Sequence, residues 1–361
     1  MKAMVLAAGV GRRMFPLTLL QPKPAISVLG RPLVVQILHW LGLKGVEQAV
    51  INLHHLPEGI TGILGDGKCP GLPEVQYSHE EEILGTAGGI RHAEEMLRGH
   101  GPIVVCNSDF LSDIDLAAAL EAHLRSGLAA TLVLAPSRPG YTVVRRASDG
   151  RVLSLGEPSG GDHSATDGEY LFTGCHIIDE ELIERIPVEP PSDIVRHVYR
   201  PMVAERQLGS FVHDGFWWEF GSPELYLDGC LRLLGLSADR LNLISTDHDT
   251  IRQLDQARVA IGPGADLHET AELHGLAALG FSSYVSAGAR IEDSVIMPEA
   301  WIGPNCDLKH SVIGQGVELP AGFRCRNVLV CQDPDPTREL PPSTRRESGM
   351  LLYSFAGSDP G

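Results

Sequence analysis

The first 235 residues alternate between short continuous apolar runs and stretches whose apolar residues recur at helical spacing. Short apolar runs are typical of buried strands, whereas Leu33, Ile37 and Leu41 share one face of a helix. This alternation predicts a parallel sheet covered by helices on both faces, with ligands at the carboxyl ends of the strands. The predicted strands are residues 4–8, 46–52, 74–77, 103–107 and 130–134, and the predicted helices are residues 32–42, 57–64, 88–96, 115–126, 179–185, 193–205 and 222–234.

Beyond residue 258 the apolar residues recur at every sixth position, and the period slips by one residue after Ile291 and again after Leu308. A period of six suits neither a helix nor a simple strand. It is typical of a parallel β-helix, in which three short strands form each coil of about 18 residues. The periodic positions are Ile261, Leu267, Leu273, Leu279, Val285, Ile291, Ile296, Ile302, Leu308, Ile313 and Leu319.

These patterns predict two domains joined by a linker, as expected for a chain of 361 residues. The predicted bounds are 1–235 for the sheet domain, 236–257 for the linker and 258–332 for the β-helix. Residues 333–361 are predicted to form a Pro-rich tail that wraps the β-helix or frays.

The formal net charge of −17 makes the chain a poor general binder of nucleic acid or of anionic membranes. No apolar stretch approaches the roughly 18 residues of a membrane span, and no signal-peptide pattern opens the sequence. Seven dispersed cysteines contain no Cys-x-x-Cys pair, which favours reduced thiols. We therefore expect a cytoplasmic protein without nucleic-acid or membrane partners.

The first apolar run ends in Gly9 and Gly11, which are followed at once by Arg12 and Arg13. Glycines let backbone N–H groups approach an anion, and guanidinium groups add charge-assisted donors, so the stretch is suited to a polyphosphate. It is not a dinucleotide fingerprint, because Met14 stands where the third glycine is needed. The Gly-Lys-Ser/Thr of a P-loop is also missing.

The stretch continues through Pro16-Leu17-Thr18 and Pro22-Lys23-Pro24, and with these pieces it resembles the signature of the sugar-1-phosphate nucleotidyltransferases, the NDP-sugar pyrophosphorylases. The chain is most similar to their mannose-1-phosphate guanylyltransferase branch. The resemblance implies an α/β fold with a Rossmann-like nucleotidyltransferase domain on a mostly parallel sheet. A short left-handed parallel β-helix domain would follow it, and self-association through that domain would give a homo-oligomer.

The resemblance also implies which residues hold the nucleoside triphosphate. Arg13 would contact the β- and γ-phosphates, and Lys23 would act at the reaction centre, where its flanking prolines restrict the backbone. Arg12 departs from the family, which often has threonine there. The loop residues implied in triphosphate binding are Leu6, Ala8, Gly9, Gly11, Arg12 and Arg13.

Two carboxylates are implied as Mg²⁺ ligands. Asp109 follows an apolar strand directly, in Asn107-Ser108-Asp109 where the family has Asn-Gly-Asp or a close variant. Glu219 stands where a Trp-x-Asp-x-Gly-like segment would have aspartate. Glutamate is still a hard oxygen ligand that suits Mg²⁺, although its longer arm moves the ion or the backbone.

Residues 80–89 resemble the segment of the family that recognises the nucleobase. Backbone groups around Gly85 and Thr86, together with the carboxylate of Glu80, would contact the edge of the base. An acidic acceptor suits the donors of guanine and favours GTP, while UTP, CTP and dTTP stay open.

The sugar side departs most from the family. The Glu-Lys-Pro that often binds the sugar phosphate is replaced by Gly156-Glu157-Pro158, so its lysine is missing. Arg145 or Arg146 could supply the charge instead. The residues implied in sugar binding are Tyr141, Thr142, Glu157, Thr173 and Gly174.

The resulting hypothesis is a Mg²⁺-dependent transfer of a nucleotidyl group from a nucleoside triphosphate to a sugar-1-phosphate, giving NDP-sugar and pyrophosphate. A uridylyltransferase acting on a glucose- or amino-sugar-1-phosphate is the nearest alternative. A non-catalytic regulatory subunit that binds NDP-sugar is another. A hexapeptide acyltransferase with His268, His274 or His310 as its base is the third.

Overall fold

The computed structural model describes residues 1–156, 166–244 and 251–355. The chain divides into two compact units that do not follow chain order. The first comprises Met1–Val10 and Ile37–Trp217, and the second comprises Gly11–Gln36 and Trp218–Gly361. The domain bounds expected from the sequence stay a prediction.

In the described residues, the first unit is built on a nine-stranded sheet. The strand Lys2–Leu6 is parallel to both neighbours, and Leu6 pairs with Asn52 on one side and with Asn107 on the other. The carboxyl ends of three strands therefore meet at one edge. Across the sheet the order is Val152–Leu155, Val143–Ala147, Thr166–Ile178, Ile103–Asn107, Lys2–Leu6, Gln48–Leu53 and Glu74–His79, with Ala130–Pro136 paired to Thr166–Ile178 and Leu208–Val212 beyond it.

The long strand Thr166–Ile178 is antiparallel to its three partners, so the sheet combines a parallel half with an antiparallel half. Strands and helices alternate along the chain, which confirms the predicted α/β class. Helix Leu116–Ser126 shows how the sequence sets an element, since Asp115 accepts bonds from Ala117 N and Ala118 N at 3.1 and 3.2 Å. The helical segments are Leu33–Leu43, Pro57–Leu64, Gly85–His92, Glu94–Leu97, Leu116–Ser126, Glu180–Arg185, Val195–Tyr199 and Arg200–Ala204.

The single helix predicted at residues 193–205 is divided in the structure. Val195–Tyr199 is a π-helical turn, and the α-helical segment Arg200–Ala204 follows it. Pro201 has no N–H to donate to the preceding turn, so a continuous ladder of α-helical bonds is not available there.

The opening part of the second unit contains short 3₁₀ turns at Arg12–Met14, Leu17–Leu19 and Lys23–Ala25, followed by a hairpin of Ser27–Val28 and Arg31–Pro32. It packs on helix Pro223–Leu234, where the buried Tyr226 donates its hydroxyl to the Ser27 carbonyl at 2.6 Å. Ser222 caps this helix through Leu225 N, as the sequence predicts. The short helix Ala238–Leu241 follows.

A parallel β-helix forms most of the second unit. Asp266 pairs with Tyr284, 18 residues further along, whereas Tyr284 pairs with Trp301 and Trp301 with Glu318 at a spacing of 17. The slips of the six-residue period thus appear as coils that are one residue shorter. The strands are Ile251–Gln253, Ala257–Ile261, Asp266–Leu267, Glu272–Leu279, Tyr284–Val285, Arg290–Ile296, Trp301–Ile302, Asp307–Lys309, Val312–Ile313, Glu318–Leu319, Arg324–Arg326 and Val328–Gln332.

The described part of the C-terminal tail is more regular than the sequence predicts. Thr344–Glu347 and Met350–Ser354 form a hairpin, and the second of these strands pairs with Val328–Gln332. Ser348 and Gly349 both have positive φ, at 50° and 78°, as a two-residue hairpin turn requires. The nearby prolines conceal this hairpin in the sequence.

The β-helix core generates a stability prediction. The side chain of Ile302 is fully buried in the stack, and Ile302→Ala should lower the free energy of unfolding by about 2–5 kcal/mol in urea titrations. The exposed Glu318 on the neighbouring coil is the control, and Glu318→Ala should change it by less than about 0.5 kcal/mol. Equal losses from the two variants would contradict a core built on the six-residue period.

Candidate functional site

In the first unit, the candidate site begins where strands Lys2–Leu6 and Ile103–Asn107 end side by side. Ser108 donates from its hydroxyl to the Leu6 carbonyl at 2.7 Å and from its backbone N–H to the same oxygen at 3.2 Å. This double bond pattern holds Asp109, the next residue, beside the turn that begins at Ala7. A carboxylate and a glycine-containing turn therefore share one edge of the sheet.

A buried relay ties the same turn to the third strand. Ala7 N donates to Asn52 Oδ1 at 2.7 Å, and Asn52 Nδ2 donates to Glu80 Oε1 at 2.7 Å. The other oxygen of Glu80 accepts from Leu84 N at 3.0 Å. Since Ala7 N is a donor, the orientation of the Asn52 amide is fixed, and Glu80 must be an acceptor.

The relay assigns Glu80 a use that the sequence does not reveal. Both of its carboxylate oxygens accept from the protein's own donors, and the residue is almost fully buried. Its contact with a nucleobase stays a prediction. Asn52 was missed by the sequence reasoning, although a polar residue inside the apolar run Val50-Ile51-Asn52-Leu53 is a usable signal.

Gly85 and Thr86 form a turn that is clamped to residues 192–194. Gly85 has a φ of +80°, and a Cβ there would stand 2.4 Å from the Ser192 carbonyl oxygen, so only glycine fits. Thr86 Oγ1 accepts from Ile194 N at 2.9 Å and donates to Asp193 Oδ2 at 3.3 Å. The predicted base-binding turn is therefore held rigidly from one side.

Thr173 and Gly174 lie buried behind the Asp109 segment. The Thr173 hydroxyl donates to the Val133 carbonyl at 2.8 Å and accepts from Cys175 N. A Cβ on Gly174, whose φ is +79°, would stand 2.6 Å from Asn107 Nδ2. Both residues thus support the end of the strand that carries Asn107, and their predicted contact with a sugar stays a prediction.

Tyr141 and Thr142 lie together on a cavity of about 270 Å³ in the first unit. The Tyr141 ring packs edge-on against Trp217, with 5.6 Å between ring centroids. The cavity is lined by Tyr141, Thr142, Val144, Leu155, Leu171, Phe172, Val195 and Arg200. Glu157, the other predicted sugar ligand of this region, lies outside the described residues.

The two arginines expected to supply the missing positive charge are already paired. Arg145 Nη2 lies 2.6 Å from Glu169 Oε1, and Arg146 Nε lies 3.1 Å from Asp167 Oδ2. Both carboxylates belong to the neighbouring strand Thr166–Ile178. These ion pairs reduce the charge that either arginine can offer to a phosphate.

In the second unit, Gly11 and Lys23 are close to one another. Gly11 is left-handed with a φ of +68°, and its carbonyl accepts from Thr18 Oγ1 at 3.1 Å. A Cβ on Gly11 would stand 2.8 Å from Thr18 Cγ2 and 3.4 Å from Lys23 Cβ. The signature residues therefore form one compact loop in which glycine at position 11 is a steric requirement.

Arg13 and Glu219 form an ion pair in the second unit, with Nη2 and Oε1 2.9 Å apart. The Arg13 side chain is 71% exposed, whereas that of Glu219 is only 15% exposed. A Cβ on Gly221 would stand 2.4 Å from Glu219 Oε1, so this glycine makes room for the carboxylate. One oxygen of Glu219 is thus engaged by a residue of the predicted triphosphate loop.

The histidines of the β-helix lie in separate environments. His268 contacts Thr270 Oγ1 at 3.0 Å, His274 contacts Glu272 at 3.2 Å, and His310 contacts Asn327 Oδ1 at 2.9 Å. In the part of the chain that the structure describes, no cluster of three His, Cys, Asp or Glu side chains is arranged to hold a metal ion. Within those same residues, no helix has the length and apolar character needed to cross a membrane.

Comparison with known proteins agrees with this geometry. Three relatives, each called mannose-1-phosphate guanyltransferase, come from Candida albicans, Pichia angusta and Schizosaccharomyces pombe, with identities of 28%, 29% and 29%. The alignments cover 91–92% of this chain and 90–91% of the relatives. The crystal structure of HddC from Yersinia pseudotuberculosis shares the fold, with a TM-score of 0.54 and 22% identity over 64% of this chain and 98% of that one.

Family models match both parts of the chain. The GlmU-like C-terminal hexapeptide model matches residues 261–327, with which the predicted left-handed β-helix is consistent. The Nucleotidyl transferase model matches residues 2–234, which is more than half of the 361 residues. The chain therefore belongs to the nucleotidyl transferase family and is a nucleotidyltransferase that carries a C-terminal hexapeptide domain.

Proposed function

We propose that the protein transfers the guanylyl group of GTP to mannose-1-phosphate. An oxygen of the sugar phosphate attacks the α-phosphorus, the bond to the β-phosphate breaks, and GDP-mannose and pyrophosphate are released. The observation that carries this proposal is the Ser108–Leu6 pairing, because it brings the Asp109 carboxylate to the turn at the end of the first strand. The names of relatives that align over nine-tenths of the chain support the choice of substrates.

The triphosphate is bound, in this proposal, by backbone N–H groups of the loop at Leu6, Ala8, Gly9 and Gly11. Arg12 and Arg13 are exposed and add positive charge, and Lys23 acts on the phosphates at the reaction centre. The close packing of Gly11 against Thr18 and Lys23 supports a preorganised loop, which lowers the cost of placing charge during transfer.

We further propose that Asp109 and Glu219 hold Mg²⁺. Their carboxylate oxygens are the hard donors that this ion prefers. When bound, Mg²⁺ would neutralise charge on the phosphates. Arg13 keeps the side chain of Glu219 oriented through the ion pair at 2.9 Å, and it leaves the second carboxylate oxygen to other contacts.

The base is proposed to lie against the turn of Gly85 and Thr86, with Glu80 positioning that turn through Leu84 N. The preference for GTP then rests on the relatives rather than on the Glu80 carboxylate. A uridylyltransferase is therefore the alternative that differs least in its use of these residues.

A non-catalytic NDP-sugar-binding protein is a second candidate, because the Arg13–Glu219 ion pair occupies both a triphosphate arginine and a metal carboxylate. Turnover distinguishes the two candidates. For the whole molecule we propose a cytoplasmic homo-oligomer that associates through the β-helix, with a catalytic domain of residues 1–235, a linker of 236–257 and a β-helix domain of 258–332.

Asp109 provides the first test of this function. Pyrophosphate release from GTP and mannose-1-phosphate with Mg²⁺ should occur in the wild type and fall by roughly 100-fold or more in Asp109→Asn, because an amide is a weaker metal ligand than a carboxylate. Asp239→Asn makes the same chemical change at an exposed position and should keep full activity. Activity of Asp109→Asn equal to that of this control would rule out the assigned role.

Glu80 provides the second test. Glu80→Gln places an NH₂ donor against Asn52 Nδ2 or Leu84 N, so it should cost about 1–3 kcal/mol of unfolding free energy and raise the KM for GTP. Glu81→Gln, at the exposed neighbouring residue, is the matched control and should leave both quantities unchanged. If the two variants behave alike in urea unfolding and in KM, the relay does not position the turn.

A further inference from the structure

The cavity that contains Tyr141 and Thr142 has a chemistry that none of the assigned residues completes. Its volume of about 270 Å³ is near the lower end of the ~300–1,000 Å³ range of small-ligand pockets. Much of its lining is apolar, including Val144, Leu155 and Leu171, and the tyrosine and threonine add hydroxyl groups. These groups suit a sugar ring, but they carry no charge that would neutralise a phosphate.

A sugar-1-phosphate brings a dianion, so a site for it needs a fixed cation. Arg145 and Arg146, the cations nearest in sequence, form ion pairs with Glu169 and Asp167. Neither of them belongs to the lining of the cavity. The positive charge must therefore come from another residue.

Arg200 is the cation that lines this cavity. It begins the segment Arg200–Ala204, directly after the π-helical turn. Its Nη2 atom lies 3.1 Å from the point where a Cβ on Gly156 would stand, and Thr142 Cγ2 lies 3.4 Å from the same point. The guanidinium group thus lies over a residue without a side chain, next to one wall of the cavity.

Unlike Arg145 and Arg146, Arg200 forms no ion pair and no side-chain hydrogen bond with any residue that the structure describes. It is also exposed to solvent, so an incoming anion does not have to displace a protein carboxylate. Arginine offers several N–H donors in a planar fork that matches the oxygens of a phosphate. Position, charge and unused donors therefore coincide at this residue.

We propose that Arg200 binds the phosphate of the sugar-1-phosphate and sets the affinity of the protein for that substrate. The sugar ring then lies in the cavity against its apolar lining, within reach of Tyr141 and Thr142. No covalent bond changes at Arg200, whose role is to neutralise the dianion and hold it in place. This inference rests on the proposed function, because it takes its ligand from that reaction.

The test compares Arg200→Ala, Arg200→Lys and Arg196→Ala in the full chain. Arg196 is an exposed arginine one turn earlier that does not line the cavity, so it controls for general loss of positive charge. Binding of mannose-1-phosphate is measured by titration calorimetry, with and without a non-hydrolysable GTP analogue, and the KM for each substrate is measured by pyrophosphate release. Thermal unfolding checks that each variant folds.

We expect Arg200→Ala to weaken mannose-1-phosphate binding and raise its KM by roughly 10- to 100-fold, with the KM for GTP unchanged. Arg200→Lys should fall between this variant and the wild type, because it keeps the charge and loses the fork. Arg196→Ala should match the wild type.

Three results would overturn the inference: wild-type affinity in Arg200→Ala, equal losses in Arg200→Ala and Arg196→Ala, or parallel losses for both substrates. Turnover by the wild type combined with any of these leaves the proposed function standing and removes only the role of Arg200. Wild-type protein that binds mannose-1-phosphate without turnover removes the proposed function, and the binding data alone then decide on Arg200. Wild-type protein that binds no sugar-1-phosphate overturns both.

Discussion

The candidate site of the first unit depends on the parallel pairing of three strands around Lys2–Leu6. Leu6 pairs with Asn107 on one side and with Asn52 on the other, so the chain segments that follow all three strands begin at one edge of the sheet. Ser108 then bonds twice to the Leu6 carbonyl and fixes the backbone just before Asp109. Without this register the glycine turn and the carboxylate would not share an edge.

Buried polar groups keep that edge in one conformation. Asn52 and Glu80 are both buried, and leaving either of them without a partner would cost about 1–3 kcal/mol. Their chain of bonds from Ala7 N to Leu84 N avoids this cost and connects the phosphate-binding turn to the proposed base-binding turn. Glycines at positions 85 and 174 allow the close backbone approaches that complete the arrangement.

Periodic features of the sequence were good predictors of the fold. The slips in the six-residue period predicted coils of unequal length, and the register changes from 18 to 17 residues after Tyr284. A pattern of apolar positions fixes which side chains face a core, and such patterns are visible along the chain. The hairpin of Thr344–Glu347 and Met350–Ser354 was missed, because its short strands lie in a Pro-rich segment.

The site was less predictable, because its contacts join residues far apart in sequence. The motif predicted a role for Glu80 but not its partner Asn52, and it predicted cations at Arg145 and Arg146 without the carboxylates that pair with them. Nothing local distinguishes Arg200 from other exposed arginines; its place on the cavity depends on the π-helical turn and on Gly156. The sequence therefore indicated the chemistry, and the fold decides which residues are available for it.

The most direct measurement is a panel in which wild-type protein is incubated with Mg²⁺ and pairs of nucleoside triphosphates and sugar-1-phosphates, with pyrophosphate and NDP-sugar both quantified. The account predicts equal amounts of the two products, no pyrophosphate when either substrate is omitted, and the highest kcat/KM for GTP with mannose-1-phosphate. Absence of both products across the whole panel, from protein that binds NDP-sugar, would contradict it.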